Sequence, residues 1–210
     1  RNGRLLHLAL TPDAKYRLHE PLREISPSLI EATLTLEDRH FHDHPGVNPL
    51  SMLRAAWGVV SGSAKGGGST ITMQLARIRY DINSRTISGK TKQILAAFWL
   101  ELLYSKSEIL EAYLNLVPYG LNIEGAGAGS LIYFHKNADK LTLSDALTLS
   151  VIPQSPARRM GSRSEDGIAA NPNLEQARKI LFAKWVAKKP NDMDQKSLID
   201  PPVLRKNPSN

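Results

Sequence analysis

The 210 residues carry 27 lysines and arginines against 20 acids, a net charge of +7, 41% hydrophobic residues and no cysteine. That length holds one domain with a sizeable core, or one domain and a tail. Without cysteine there is no disulfide and no thiolate zinc site, and the redox compartment stays open. The positive excess, with a pI of about 9.7, points to an anionic partner (nucleic acid, phosphate groups or an acidic membrane surface) or to no more than a basic soluble surface. No signal peptide is visible, nor the roughly 20-residue apolar run of a membrane span, since "QILAAFWL" is too short. The chain opens on Arg1 in "RNGRLLHLAL", which reads as the start of an excised piece.

Residues 1–25 read as irregular, with "LLHLAL" a short strand at most. Ser26-Pro27 predicts a helix start, with Leu29, Ile30, Thr33, Leu34 and Glu37 at helical spacing. Asn48-Pro49 opens a second helix through "LSMLRAAWGVV", and Ser69 can cap a third along Ile71, Leu75 and Ile78. A fourth runs from about Ser88 to Leu103. Ser105 and Glu108 form a capping box before a fifth, "ILEAYLNLV". "EGAGAGSLIYF" reads either as strand or loop, or as a helix whose small residues allow close approach. Thr142 and Asp145 open another helix, ended by Pro153 and Pro156. Asn171-Pro172 opens the last, with Leu174, Ala177, Leu181 and Trp185 in register. The Pro-, Asn- and Asp-rich stretch after Lys189 reads as a linker. With no repeat and no strand series, the class is mainly α.

"LEDRHFHDHPG", Leu36 to Gly46, concentrates acids, an arginine and histidines ahead of Pro-Gly. His40, His42 and His44 alternate, but "HFHDH" falls one residue short of the HxHxDH pattern of binuclear zinc hydrolases. Downstream only His135 remains as a further histidine ligand, so no protein-only metal site is expected. Glu37 shares the stripe of its helix's apolar residues. A carboxylate there is either a buried proton acceptor or a salt-bridged acid at a frayed helix end. Arg39 could hold Glu37 or Asp38 in place.

"KGGGSTITMQLAR", Lys65 to Arg77, sets glycines before a Ser-Thr pair that opens a helix. Such a start suits an oxyanion or phosphate, or is a flexible connector. It is not a Walker A loop, because Gly-Lys-Ser/Thr is absent. Arg77, Arg79, Arg85, Lys90 and Lys92 follow, and with the glycine loop they suggest a diphosphate.

"EDRHFHDHPG", then Arg54-Ala55, "GGSTITMQ", Gly89-Lys90-x-x-Gln93 and "SKSEILEAYLN" together resemble the glycosyltransferase domain of class A penicillin-binding proteins, the family 51 peptidoglycan glycosyltransferases. The ordered motifs span about Glu37 to Pro156. The resemblance implies a lysozyme-like, two-lobed helical fold, with a globular head and a small membrane-facing jaw. The expected layout is a lead-in at 1–25 after a membrane anchor, the glycosyltransferase domain at 26–188, and a linker at 189–210 toward a transpeptidase region. Expected partners are lipid II, the growing glycan strand, a moenomycin-type inhibitor, and the outer face of the bacterial cytoplasmic membrane through the jaw segment 51–64.

Members of that family polymerise lipid II with inversion to a β-1,4 bond and release undecaprenyl diphosphate. By this resemblance Glu37 is the base, and Asp38, Arg39, Phe41, His44 and Gly46 shape its pocket. Arg54 belongs to the substrate side. Gly68, Ser69, Thr70, Thr72 and Gln74 line the donor site. Arg77, Arg85 and Lys90 neutralise the diphosphate, with no tightly bound cofactor and with Mg²⁺ or Mn²⁺ as the ion that would accompany the substrate. Met52, Leu53, Trp57, Val59 and Val60 would suit lipid.

The chain departs from the family at its third motif, usually Arg-Lys-x-x-Glu, where a second catalytic acid is replaced by Gln93. Arg77 stands for a lysine, Met73 for a common glutamine, and Val59 for a frequent asparagine. The Gly-Lys-x-x-Gln form resembles the penicillin-binding protein 1C subgroup. Gln93 also motivates a rival reading, a lipid II-binding but catalytically weak scaffold. Glu101 could partly stand in for the missing acid or support the fold. A nucleic-acid module lacks any recognised signature, and a lytic glycosidase would not need a diphosphate loop.

Overall fold

A computed structural model describes residues 10–61, 68–160, 163–164, 167–168 and 171–192. The expected strand in "LLHLAL", most of the glycine run before Gly68 and the tail after 192 fall outside the described residues. Within them are β1 (Tyr16–Arg17), α1 (Pro27–Glu37), α2 (Pro49–Val60), α3 (Ile71–Arg79), α4 (Ile87–Leu103) and α5 (Lys106–Leu116). After these come β2 (Pro118–Gly120), β3 (Ile123–Glu124), α6 (Ala126–Phe134), α7 (Leu143–Val151) and α8 (Pro156–Arg159). The series closes with β4 (Arg163–Ser164), β5 (Gly167–Ile168) and α9 (Pro172–Lys188). Every strand is two or three residues long, so the class is mainly α, as the periodicity requires.

The backbone divides into two compact units, Glu37–Leu116 and the remainder, Arg1–Leu36 with Val117–Asn210. The described part of the expected jaw segment, residues 51–61, belongs to the first of these, and the rest of it lies outside the described residues.

In the larger unit a small sheet runs in the order β1-β3-β2, with β1 parallel to β3 and β2 antiparallel to it. Neighbouring strands were not legible because two or three residues cannot show alternation. The glycine-rich stretch resolves as helix α6. A Cβ on Gly127 would lie 2.6 Å from the Leu18 carbonyl oxygen, so the missing side chain admits that backbone. Thr142 and Asp145 form the expected reciprocal cap on α7. Asn171 caps α9, which buries Leu174, Leu181 and Trp185 against α7. Arg178 is buried on that same face at 2% exposure and donates to Ser144 Oγ at 2.9 Å, a polar member that an apolar period cannot reveal. Ser26 does not cap α1 through its side chain. Its hydroxyl turns to the Leu141 carbonyl at 3.2 Å, and its own carbonyl accepts from Leu29 and Ile30.

In the unit Glu37–Leu116, α3 lies against both α4 and α5. Val47, Met73 and Ala97 form a core cluster, with Met52 and Ile94 packed on it. Met52 is therefore partly core. Thr70, not Ser69, caps α3, its side chain accepting from Met73 N. Asn48 caps α2 through Ser51 N, and Thr86 caps α4. Both faces of α4 are apolar. Ala97 and Leu100 are buried, while Leu95, Phe98, Trp99, Leu102 and Leu103 are exposed.

Candidate active site

Glu37 is the last residue of α1 and half-buried. Gln74, one turn into α3, donates its Nε2 to Glu37 Oε2 at 2.7 Å. The other end of the same amide, Oε1, accepts from the Tyr113 hydroxyl of α5 at 3.4 Å. Three helices thus set one carboxylate, and the amide's orientation follows from having an acceptor on one side and a donor on the other.

Asp38 turns the other way. It is buried at 7% exposure; its Oδ2 accepts from Ile71 N at 3.0 Å, and both oxygens face His44 Nε2 at 3.0 and 3.1 Å. A carboxylate at the first turn of α3 meets unpaired amides and the positive end of the helix dipole. The ring nitrogen facing it must carry the hydrogen. Gly46 closes this loop with φ +81°, its carbonyl accepting from Thr70 Oγ1. A Cβ there would stand 2.7 Å from Glu101 Cγ. Behind it, Glu101 Oε1 accepts from Thr72 Oγ1 at 2.6 Å and from Lys106 Nζ at 2.8 Å. Lys106 also donates to the His44 carbonyl at 2.6 Å and sits 4.5 Å from the centre of the Phe41 ring. The polar cluster read from Leu36 to Gly46 is thus a packed scaffold from which Glu37 projects.

A second group lies where α3 begins. Lys90 Nζ donates to Ser69 Oγ at 2.7 Å and to Gln93 Oε1 at 3.0 Å, and Gln93 Nε2 donates to the Met73 carbonyl at 2.7 Å. Burial depresses the Lys90 ammonium below the usual lysine range, and the nearby Arg77 charge adds to this. The cation is held by neutral partners, an arrangement that favours an incoming anion. Among the described residues no three His, Asp or Glu side chains gather as metal ligands. His40 pairs with Asp43 at 3.1 Å.

A transglycosylase family model matches residues 3–184. The chain belongs to the transglycosylase family. It is 40% identical over 174 residues to penicillin-binding protein 1C of Escherichia coli, covering 82% of this chain and 22% of that protein. Penicillin-binding protein 1A of the same organism is 36% identical over 167 residues, covering 79% and 20%. The chain therefore spans about a fifth of the length of these curated relatives. A crystal structure of penicillin-binding protein 1A from Haemophilus influenzae is also similar, with a TM-score of 0.49 and 18% identity, covering 92% of this chain and 19% of that one. The likeness to penicillin-binding protein 1C agrees with the reading of the Gly-Lys-x-x-Gln motif.

Within this transglycosylase domain the expected site residues separate into two sets. Glu37, Gln74, Ser69 and Lys90 are joined in pairs by hydrogen bonds among partly exposed groups. Arg77 and Arg85 are exposed, and Gly68 is half-buried. By contrast Phe41 is 1% exposed, Thr72 0% and Gln93 1%, so these three support the surface instead of lining it. Arg39 is exposed, and Arg54 donates to Ser51 on its own helix at 2.9 Å. Sequence reasoning missed Lys106 and Tyr113. Their signal was the "SKSEILEAYLN" motif itself, read there as a capped helix and a family motif without a role for either residue. The cap is present, with Ser105 N donating to Glu108 Oε2 at 2.8 Å.

Proposed function

We propose that this transglycosylase domain is a peptidoglycan glycosyltransferase that polymerises lipid II into β-1,4 glycan with inversion. The observation that carries the reading is the Gln74–Glu37 hydrogen bond at 2.7 Å, which fixes a half-buried carboxylate in the same compact unit as the Lys90–Ser69 pair. Glu37 accepts the proton of the acceptor's 4-hydroxyl as that oxygen bonds to the anomeric carbon. The bonding pair to the diphosphate oxygen leaves with undecaprenyl diphosphate, whose charge Lys90, Arg77 and Arg85 offset. The chain's own cations serve this role; a Mg²⁺ or Mn²⁺ ion would enter with the substrate.

Leu50, Leu53 and Trp57 share the exposed face of α2. Together with the apolar outer face of α4 they suit contact with the outer leaflet of the cytoplasmic membrane. A moenomycin-type inhibitor would occupy the donor residues.

The test is incubation with labelled lipid II in detergent and gel analysis of the products. Wild type should give long glycan chains. Glu37→Gln should slow polymerisation by about 10²–10⁴-fold, the usual contribution of a general base, while still binding lipid II. Unchanged lipid II with wild type would favour the scaffold reading, which Gln93 motivates. A Glu37→Gln rate above about a tenth of wild type would remove Glu37 as the base.

A further inference from the structure

Gln93 stands where the family's second acid is expected, and its side chain is almost wholly buried, at 1% exposure. Both halves of its amide are used, Nε2 on the Met73 carbonyl and Oε1 on Lys90 Nζ. We propose that Gln93 is a positioning residue whose amide, anchored on the backbone of α3, holds the Lys90 ammonium beside Ser69 as a built-in cation for the substrate diphosphate. This rests on the glycosyltransferase reading and names what stands in for the missing acid.

The chemistry requires an amide. A glutamate at 93 has only acceptors, so one oxygen would face the Met73 carbonyl at the present 2.7 Å donor distance, with nothing to donate unless protonated. Its negative charge would also cancel that of Lys90. A methionine would fill the volume and leave both the carbonyl and the ammonium without this partner. With Gln93, the ammonium has three donors, two of them committed to Ser69 and Gln93, leaving one for an incoming phosphate oxygen.

No carboxylate hydrogen-bonds Lys90 among the described residues. On α4 itself Glu101 is engaged by Thr72 and Lys106. On α5 Lys106 is turned to Glu101 and the His44 carbonyl, and Glu108 caps Ser105. On α3 the charge bearing on Lys90 is Arg77, which is of like sign. The surroundings thus leave the positive charge uncompensated until an anion arrives.

The experiment compares wild type, Gln93→Glu and Gln93→Met by two readouts. The first follows Lys90 by NMR of unmodified lysines labelled with ¹³C at Cε, assigned with Lys90→Arg, during alkaline titration with and without inorganic diphosphate. The second is the KM and kcat of lipid II polymerisation, with EDTA or added Mg²⁺. In wild type Lys90 should titrate below the other lysines and move upward when diphosphate binds. Gln93→Glu should move its titration upward without diphosphate and raise KM about tenfold, the scale of one lost hydrogen bond to a charged group, with a smaller change in kcat. Gln93→Met should raise KM while leaving Lys90 titrating low. Identical Lys90 titration in wild type and Gln93→Glu would overturn the proposal. So would a wild-type Lys90 indifferent to diphosphate, a measurement that needs no variant at position 93 to fold. If the titrations behave as expected but wild type makes no glycan from lipid II, the glycosyltransferase reading alone fails.

Discussion

Gln74 and Glu37 are joined by a single 2.7 Å hydrogen bond across α3 and the end of α1. The amide donates to one carboxylate oxygen and so limits the rotation of the Glu37 side chain. Gln74→Leu should therefore lower kcat by about 10- to 100-fold, the scale on which misplaced reacting groups lose rate, with KM within roughly twofold. Tyr113→Phe, which removes the donor on the far side of the amide, should have a smaller effect in the same direction. Steady-state polymerisation kinetics decide it; a rise in KM with kcat unchanged would assign Gln74 to substrate binding.

Asp38 is a structural acid despite adjoining the proposed base. Asp38→Ala strips partners from Ile71 N and His44 at once, and buried pairs broken on one side cost about 3 kcal/mol or more. Asp38→Asn can still accept from one of the two and should cost about 1–2 kcal/mol. Chemical denaturation of both variants checks the order.

Gly46→Ala meets two obstacles, a left-handed backbone at φ +81° and Glu101 Cγ at 2.7 Å. Together these should cost about 2–4 kcal/mol. For a domain of this size that is a fall in Tm of about 4–16 °C, read by calorimetry.

Lys106 bridges the end of α4 to the loop under Glu37, and its side chain is 23% exposed beside a Glu101 that is 10% exposed. Lys106→Met and Glu101→Gln should each destabilise. The double variant should be less destabilised than the sum by about 0.5–3 kcal/mol, as for contacting residues in one network. Additive effects would show that the bridge carries no coupling.

Lys90 should set the alkaline limit of activity. Its pKa is lowered first by burial and then by Arg77, so as pH rises it should lose its proton, and with it the proposed diphosphate binding, before an ordinary lysine would. The profile of kcat/KM should fall on the alkaline side below the usual lysine range. Lys90→Arg, whose charge persists, should move that limb to higher pH. An unmoved limb would assign it to another group.

The sequence by itself determined the helical class and most helix starts, and it named the candidate reacting groups. Caps such as Thr142–Asp145 and Asn171 are local: donor and acceptor lie within a few residues, and spacing alone pairs them. Motif residues such as Glu37, Ser69 and Lys90 were legible for a different reason, because their order along the chain carries the family resemblance. Only the tertiary structure decided which motif residues face outward and which hold the others. Asp38 and Glu37 are neighbours in the chain, yet one is tied to the first turn of α3 and the other to its second, because the chain leaves the helix between them. Thr72, Phe41 and Gln93 look like site residues in the motifs and are buried supports. Lys106 reaches back 62 positions to the His44 carbonyl, and Tyr113 reaches back 39 to Gln74. Side-chain partners so far apart in sequence are selected by how α3, α4 and α5 pack, and no local pattern encodes that packing.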